Sequence, residues 1–85
     1  MKILPKNNFN SKSLSFTIEE SVESYLKYLK TNDPQYLYRQ VIKPVEYSLL
    51  KTVISNTSCN QSKTARLLGM HRSTLHKKLK LYDLL

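Results

Sequence analysis

The stretch Asn60–Tyr82, NQSKTARLLGMHRSTLHKKLKLY, decides how the chain folds. Asn60 is placed to cap a helix, because its side-chain oxygen can take a free backbone N–H of the first turn. Gln61 to Leu68 then carries apolar Ala65 and Leu68 at helical spacing. Gly69, the one glycine of the chain, stands just past the last periodic residue, where a left-handed terminal position costs glycine least. Met70 fills the corner. In the helix that follows, Leu75, Leu79 and Tyr82 recur at i, i+4 and i+7 as a narrow inward stripe. Ser73 and Lys77 lie nearly opposite that stripe, Thr74, His76 and Lys80 flank it, and Arg72 occupies the opening turn. This is the pattern of a helix-turn-helix, whose second helix offers its N-terminal residues to base edges in the major groove of DNA.

Eighty-five residues make one small domain, and a single chain of that size buries a small share of its surface, so a partner is expected. The formal net charge is +8, but its placement is more telling than its total. Residues 1–16 hold three basic and no acidic side chains, residues 17–56 hold five of each, and residues 57–85 hold six basic against the single acid Asp83. A neutral middle is therefore flanked by basic ends, which suits a polyanion such as double-stranded DNA. Cys59 is the only cysteine, so no intramolecular disulfide forms and a reducing, cytoplasmic setting is expected. No apolar run reaches membrane-spanning length, and the start MKILPKNN has no hydrophobic stretch long enough for a secretory signal. No membrane partner is expected.

Residues 1–16 are rich in Lys, Asn and Ser without a sustained helical period, which predicts a flexible basic arm. Thr17 with Glu20 three residues on reads as a capping box, so the first helix is expected to start there, with Glu19 and Glu20 at the positive end of its dipole. Its stripe is Ile18, Val22, Tyr25, Leu26 and Leu29, running to about Lys30. Thr31 to Pro34 break it, because proline disfavours helical geometry in the residue before it yet suits the first turn of a following helix. From Gln35 to Asn56, Leu37, Val41, Ile42, Val45, Leu49, Leu50, Val53 and Ile54 cover a wide apolar sector. Pro44 removes one backbone hydrogen bond and crowds the carbonyl a turn earlier, which predicts a kink near Gln40 to Lys43 within one helix that ends near Thr57.

These two helices, residues 17–57, carry more apolar surface than one small chain can hide. Two copies pairing them resolve the excess, which predicts an all-α fold of four helices per subunit, an intertwined homodimer with a C-terminal helix-turn-helix at 58–85. A monomeric four-helix domain is the plainer alternative. Val22, Tyr25, Leu29, Val41, Val45, Leu49 and Val53 are the expected dimer core. Tyr25, Tyr28, Tyr36, Tyr38 and Tyr47 fall in the same region, where core and interface packing is their ordinary role.

Nothing in the chain resembles a catalytic set. One glycine excludes a glycine-rich phosphate loop, and the five carboxylates of the first two helices are expected on scattered outer faces. His71 and His76 stand about 140° apart around a helix, and Cys59 precedes the helix before them, so neither a metal site nor a cofactor is expected. Arg72 can present a planar fork to guanine O6 and N7, with a phosphate contact as its plainer role. His71, at the entry of the second helix, and His76 join it as base-reading candidates. Asn60, Ser62 and Thr74, near helix N-termini where free N–H groups favour anions, suit phosphate, and Lys63, Lys77, Lys78 and Lys80 supply charge to the DNA backbone. Lysines alone would read as a solvated face; the capped helix, the single glycine, the apolar corner and the Arg-and-Thr helix start together favour DNA. A helical adaptor that binds an acidic protein is the competing reading from another class, since charge alone does not separate two polyanions.

The run VEYSLLKTVISNTSCNQSKTARLLGMHRSTLHKKLKLYDL from Val45 resembles the C-terminal region of the Fis (factor for inversion stimulation) family of bacterial nucleoid-associated DNA-binding proteins. It also looks like the DNA-binding domain that ends nitrogen-regulator-type activators. The resemblance is close from Val45 to Tyr82 and looser back to Thr17, and its most specific parts are NQSKTARLLG and the R-x-T-L-x-K-K-L-K pattern of Arg72 to Lys80. It implies a homodimer that binds and bends DNA with weak sequence preference, in transcription regulation and nucleoid organisation. In Fis-like dimers the two recognition helices stand closer than one DNA turn, so both reach adjacent major grooves only where the duplex curves. By position, Arg72 takes the guanine-reading role and Asn60, Ser62, Thr74, Lys77 and Lys78 hold the backbone.

The chain also departs from that pattern. His71 stands where the family usually has asparagine and His76 where arginine is frequent, and Ser58 and Cys59 replace the glycines often found before Asn60. Pro44 stands about one turn before the usual mid-helix proline, whose aligned position is Ser48. The arm looks shorter than in recombination-stimulating members, and contact with a recombinase or RNA polymerase is left open. With Met1 a short arm away from the first helix, no ATPase or receiver domain is expected, which makes the isolated tail of a larger activator the lesser reading.

Overall fold

The computed structural model describes residues 9–29 and 36–85. Among them are four α-helices and no strand: α1 Ser11–Leu29, α2 Leu37–Asn56, α3 Gln61–Leu68 and α4 Arg72–Leu81. The fold is all-α, as the apolar periodicities require. The chain divides into two compact units, Met1–Val41 and Ile42–Leu85, with the boundary inside α2 three residues before Pro44.

In the first unit, α1 starts six residues before the expected Thr17. Asn10 is the cause: its Oδ1 accepts from the Ser13 N–H at 2.9 Å, and its carbonyl accepts from the Leu14 N–H at 3.2 Å. Asparagine caps more strongly than threonine. Thr17 lies in the helix interior and turns its hydroxyl back to the Ser13 carbonyl at 3.1 Å, the local bond a mid-helix threonine makes instead of capping. Two expectations are corrected: no capping box forms at Thr17 and Glu20, and residues 11–16, assigned to the arm, are the opening turns of α1 with no acid in the first of them. Ile18, Val22 and Tyr25 of the predicted stripe are half-buried, while Leu26 is exposed. The remainder of the arm and the Thr31–Pro34 break lie outside the described residues.

α2 begins at Leu37, just after the Gln40 N–H to Tyr36 carbonyl bond of 2.8 Å, and runs unbroken through Pro44 to Asn56. It closes in a Schellman turn: the Cys59 N–H bonds the Ile54 carbonyl at 2.9 Å and the Ser58 N–H bonds the Ser55 carbonyl at 3.3 Å. Such a turn needs left-handed backbone just past the helix. Ser58 supplies it at φ 55°, and Cys59 follows at φ 66°.

The second unit is organised by that turn. Asn60 Oδ1 accepts from the Lys63 N–H at 3.0 Å and so caps α3 as expected. Gly69 ends α3 at φ 73°, with its N–H on the Arg66 carbonyl at 3.2 Å and the Met70 N–H on the Ala65 carbonyl at 3.0 Å. α4 closes the same way at Asp83, φ 60°, where the Leu84 N–H bonds the Leu79 carbonyl at 2.8 Å. Leu50, Ile54, Ala65, Leu75 and Leu79 form one buried cluster, with Leu68, Met70, Tyr82 and Leu84 packed around it. The C-terminal half of α2 is therefore the floor on which the helix-turn-helix sits.

One polar pair lies inside this floor. The hydroxyls of Thr57 and Thr64 stand 2.6 Å apart, Thr64 is fully buried and Thr57 nearly so. Thr64 also reaches the Asn60 carbonyl at 2.8 Å, and Thr57 reaches the Ile54 carbonyl at 3.1 Å. Two protons thus serve one mutual bond and one carbonyl, so no buried hydroxyl is left without a partner.

Candidate nucleic-acid interface

The helix-turn-helix brings the N-terminus of α3 and the outer face of α4 into one module with a single core. His71 is the residue before α4, extended at φ −70° and ψ 148°, and its side chain makes no capping bond. Its imidazole is thus uncommitted and exposed. Arg72, the first residue of α4, is exposed and has no acidic partner among the described residues. Thr74, His76, Lys77 and Lys80 are likewise exposed along α4, as are Asn60, Ser62 and Lys63 at the start of α3. The Asn60 side-chain oxygen is taken by the cap, which leaves its amide N–H groups as the donors available to an anion.

Lys78 differs from the expectation of a free backbone-binding lysine. Its Nζ lies 2.8 Å from Glu46 Oε2 on α2, and its side chain is 33% exposed. The Tyr82 hydroxyl donates to the other oxygen, Glu46 Oε1, at 2.6 Å. Tyr82 also meets Tyr47 edge to face, with ring centroids 6.0 Å apart, and Lys51 Nζ sits 5.6 Å above the Tyr47 ring. The hydrogen bond from Lys78, then that from Tyr82, hold the Glu46 carboxyl below the ordinary carboxylate range, and the bond to Glu46 makes the Tyr82 hydroxyl harder to ionise. Glu46 was expected on an outer face with the other carboxylates; instead it pins α4 to α2. Pattern reading missed it because glutamate three residues before Leu49 looks like any solvated helix position.

His76 is tied as well. Its Nδ1 stands 3.2 Å from Gln61 Oε1 at the start of α3. Neither Gln61 nor the Thr57–Thr64 pair carries a sequence signal for these roles, since each depends on which helices cross. Among the described residues no three His, Cys, Asp or Glu side chains converge as a metal site would need, and no helix is long and apolar enough to cross a membrane.

The geometry available is thus a helix with an uncommitted arginine at its N-terminus, flanked by histidine, threonine and lysine, and supported by a capped second helix. The family profile described as "Bacterial regulatory protein, Fis family" matches residues 41–82. Among similar proteins, the "DNA-binding protein Fis" of Glaesserella parasuis serovar 5 is 39% identical over 67 residues, covering 79% of this chain and 68% of that protein. The "Putative Fis-like DNA-binding protein" of Pseudomonas aeruginosa is 40% identical over 73 residues, covering 86% and 70%. The "DNA-binding protein Fis" of Haemophilus influenzae is 34% identical over 79 residues, covering 93% and 80%.

Proposed function

Because the chain belongs to the Fis family of bacterial regulatory proteins, we propose that it is a homodimeric DNA-binding and DNA-bending protein of transcription regulation and nucleoid organisation, acting in the cytoplasm. The family is one of regulators, not enzymes. The observation that carries this reading is Arg72, exposed and without an acidic partner among the described residues, on the first turn of a helix that the buried Leu75 and Leu79 anchor to the core. That placement suits a bidentate contact to guanine, with His71 and His76 beside it. Asn60, Ser62, Lys63, Thr74, Lys77 and Lys80 suit phosphate, and Lys78 contributes less because Glu46 already neutralises it.

Exposed apolar side chains on the first two helices support a second copy. Phe16 is 61% exposed, Leu49 49% and Ile42 36%, while Val22, Tyr25, Val41, Val45 and Val53 of the expected dimer core are only half-buried within one chain. Covering them by self-association follows the ordinary symmetric solution for a small chain. Two recognition helices carried on one dimer then select duplexes that curve to meet both.

A gel-shift titration of the wild type and Arg72→Ala on AT-centred duplexes at two salt concentrations tests the reading. The wild type should shift DNA in low salt, and Arg72→Ala should lose about 1–3 kcal/mol, chiefly on its preferred site. No wild-type complex in low salt would sink DNA binding. Equal losses on every duplex would reassign Arg72 to phosphate. Sedimentation at micromolar concentration checks the dimer, which a stable monomer would contradict.

A further inference from the structure

The only side-chain bond between the two helices of the helix-turn-helix, among the described residues, joins Gln61 of α3 to His76 of α4 at 3.2 Å. A carboxamide oxygen accepts and does not donate, so the imidazole nitrogen facing it, Nδ1, carries the hydrogen. In the neutral ring that leaves Nε2 as a bare lone pair. His76 is exposed on the flank of α4, one turn after Arg72 and one turn before Lys80, with Lys77 beside it. From α3 the uncharged Gln61 is what reaches it, and the nearest acid along α4, Asp83, lies two turns on. The charged groups around the ring are thus cations.

Fixing one nitrogen as a donor decides what the other offers to DNA. A neutral His76 presents an acceptor, which suits the amino groups of cytosine or adenine and repels a phosphate oxygen. A protonated His76 presents a second donor, which suits phosphate, guanine N7 and O6, or thymine O4. We propose that His76, oriented by Gln61, is a proton-linked specificity determinant: binding to DNA takes up a proton at this imidazole, so affinity rises and preference shifts toward acceptor-bearing partners as pH falls. Gln61 is the positioning residue. The proposal rests on the reading of α4 as the DNA-facing helix.

The test is fluorescence-anisotropy titration of one labelled duplex between pH 5.5 and 8.0 at fixed ionic strength, with full-length protein. All forms carry His71→Asn, so that His76 is the one imidazole at the interface. The His76 form should tighten about three- to tenfold across this range, as one coupled proton allows. His76→Arg should bind with a flat pH profile at or above the acid-limb affinity, and His76→Gln with a flat profile near the alkaline limb. The ring's nitrogen-15 shifts should report Nδ1–H in the free protein, and Gln61→Leu should remove that tautomer bias and shrink the pH profile while leaving the helical signal unchanged. An unaltered slope in His76→Gln would overturn the inference, and an unaltered tautomer in Gln61→Leu would overturn the role of Gln61. Failure of DNA binding itself looks different: His76→Arg would then form no complex at any pH in low salt.

Discussion

Among the described residues three left-handed positions close helices, and one of them is glycine. Ser58 and Asp83 adopt the same left-handed backbone as Gly69, and Cys59 extends it by one more residue. A side chain in that region costs about 1–2 kcal/mol relative to glycine. Ser58→Gly or Cys59→Gly should therefore raise stability, by up to about 1 kcal/mol once the freer unfolded chain is counted, measured by urea unfolding. Gly69→Ala should lower it by about 1 kcal/mol through φ alone, because an added Cβ at Gly69 meets nothing within 4 Å. The turn at Gly69 was legible in the sequence because glycine announces it. Those at Ser58 and Asp83 were not, since serine and aspartate are ordinary in loops and their φ is imposed by the carbonyls that Cys59 and Leu84 must reach.

Between elements, contact is made by few groups, and each can be perturbed alone. Glu46 joins α2 to α4 through Lys78 and Tyr82. Its carboxyl is held below the ordinary value of 4.5 in the folded chain, so the unfolded state takes up its proton first as pH falls. The stabilisation is complete above that ordinary value and is lost as pH drops through it to the depressed folded value. Wild type should accordingly lose more stability than Glu46→Gln between pH 6 and 3, followed by thermal unfolding; parallel curves would remove Glu46 from the account. Its coupling to Lys78 should be about 0.2–1 kcal/mol in a double-mutant cycle, as for a part-exposed pair. Thr64→Val removes the hydroxyl that bonds both Thr57 and the Asn60 carbonyl, while Thr57 can still donate to the Ile54 carbonyl and the Asn60 carbonyl keeps the residue-64 backbone N–H, so the change should cost about 0.5–1.5 kcal/mol by the same unfolding measurement. Helix existence, the Asn60 cap and the Leu75–Leu79 stripe were readable from period and composition. The start of α1 was misplaced because Thr17 with Glu20 mimics a cap where Asn10 provides the real one, and the polar links were hidden because each depends on how the helices cross, which period and composition do not give.

For the whole molecule, the positive charge of the C-terminal stretch should appear as salt sensitivity. A dimer that neutralises about 8 phosphates loses affinity with a log–log slope of about −7. The lysines should not contribute equally. Lys77→Met should flatten that slope by about 1 per subunit, whereas Lys78→Met should change it less, since its ammonium already faces Glu46; equal effects of the two would show that Lys78 leaves Glu46 on binding. The buried hydroxyl pair beneath the turn offers a way to watch this module from inside. The Thr57 and Thr64 protons are shielded from water and lie on a bond of 2.6 Å, so they should exchange with solvent slowly enough to give their own magnetic-resonance lines. Their order runs either from Thr57 through Thr64 to Asn60, or from Thr64 through Thr57 to Ile54. Those lines would then act as a built-in gauge of strain between the floor helix and the DNA-facing pair, moving only if the module deforms and staying still if it docks as a rigid body.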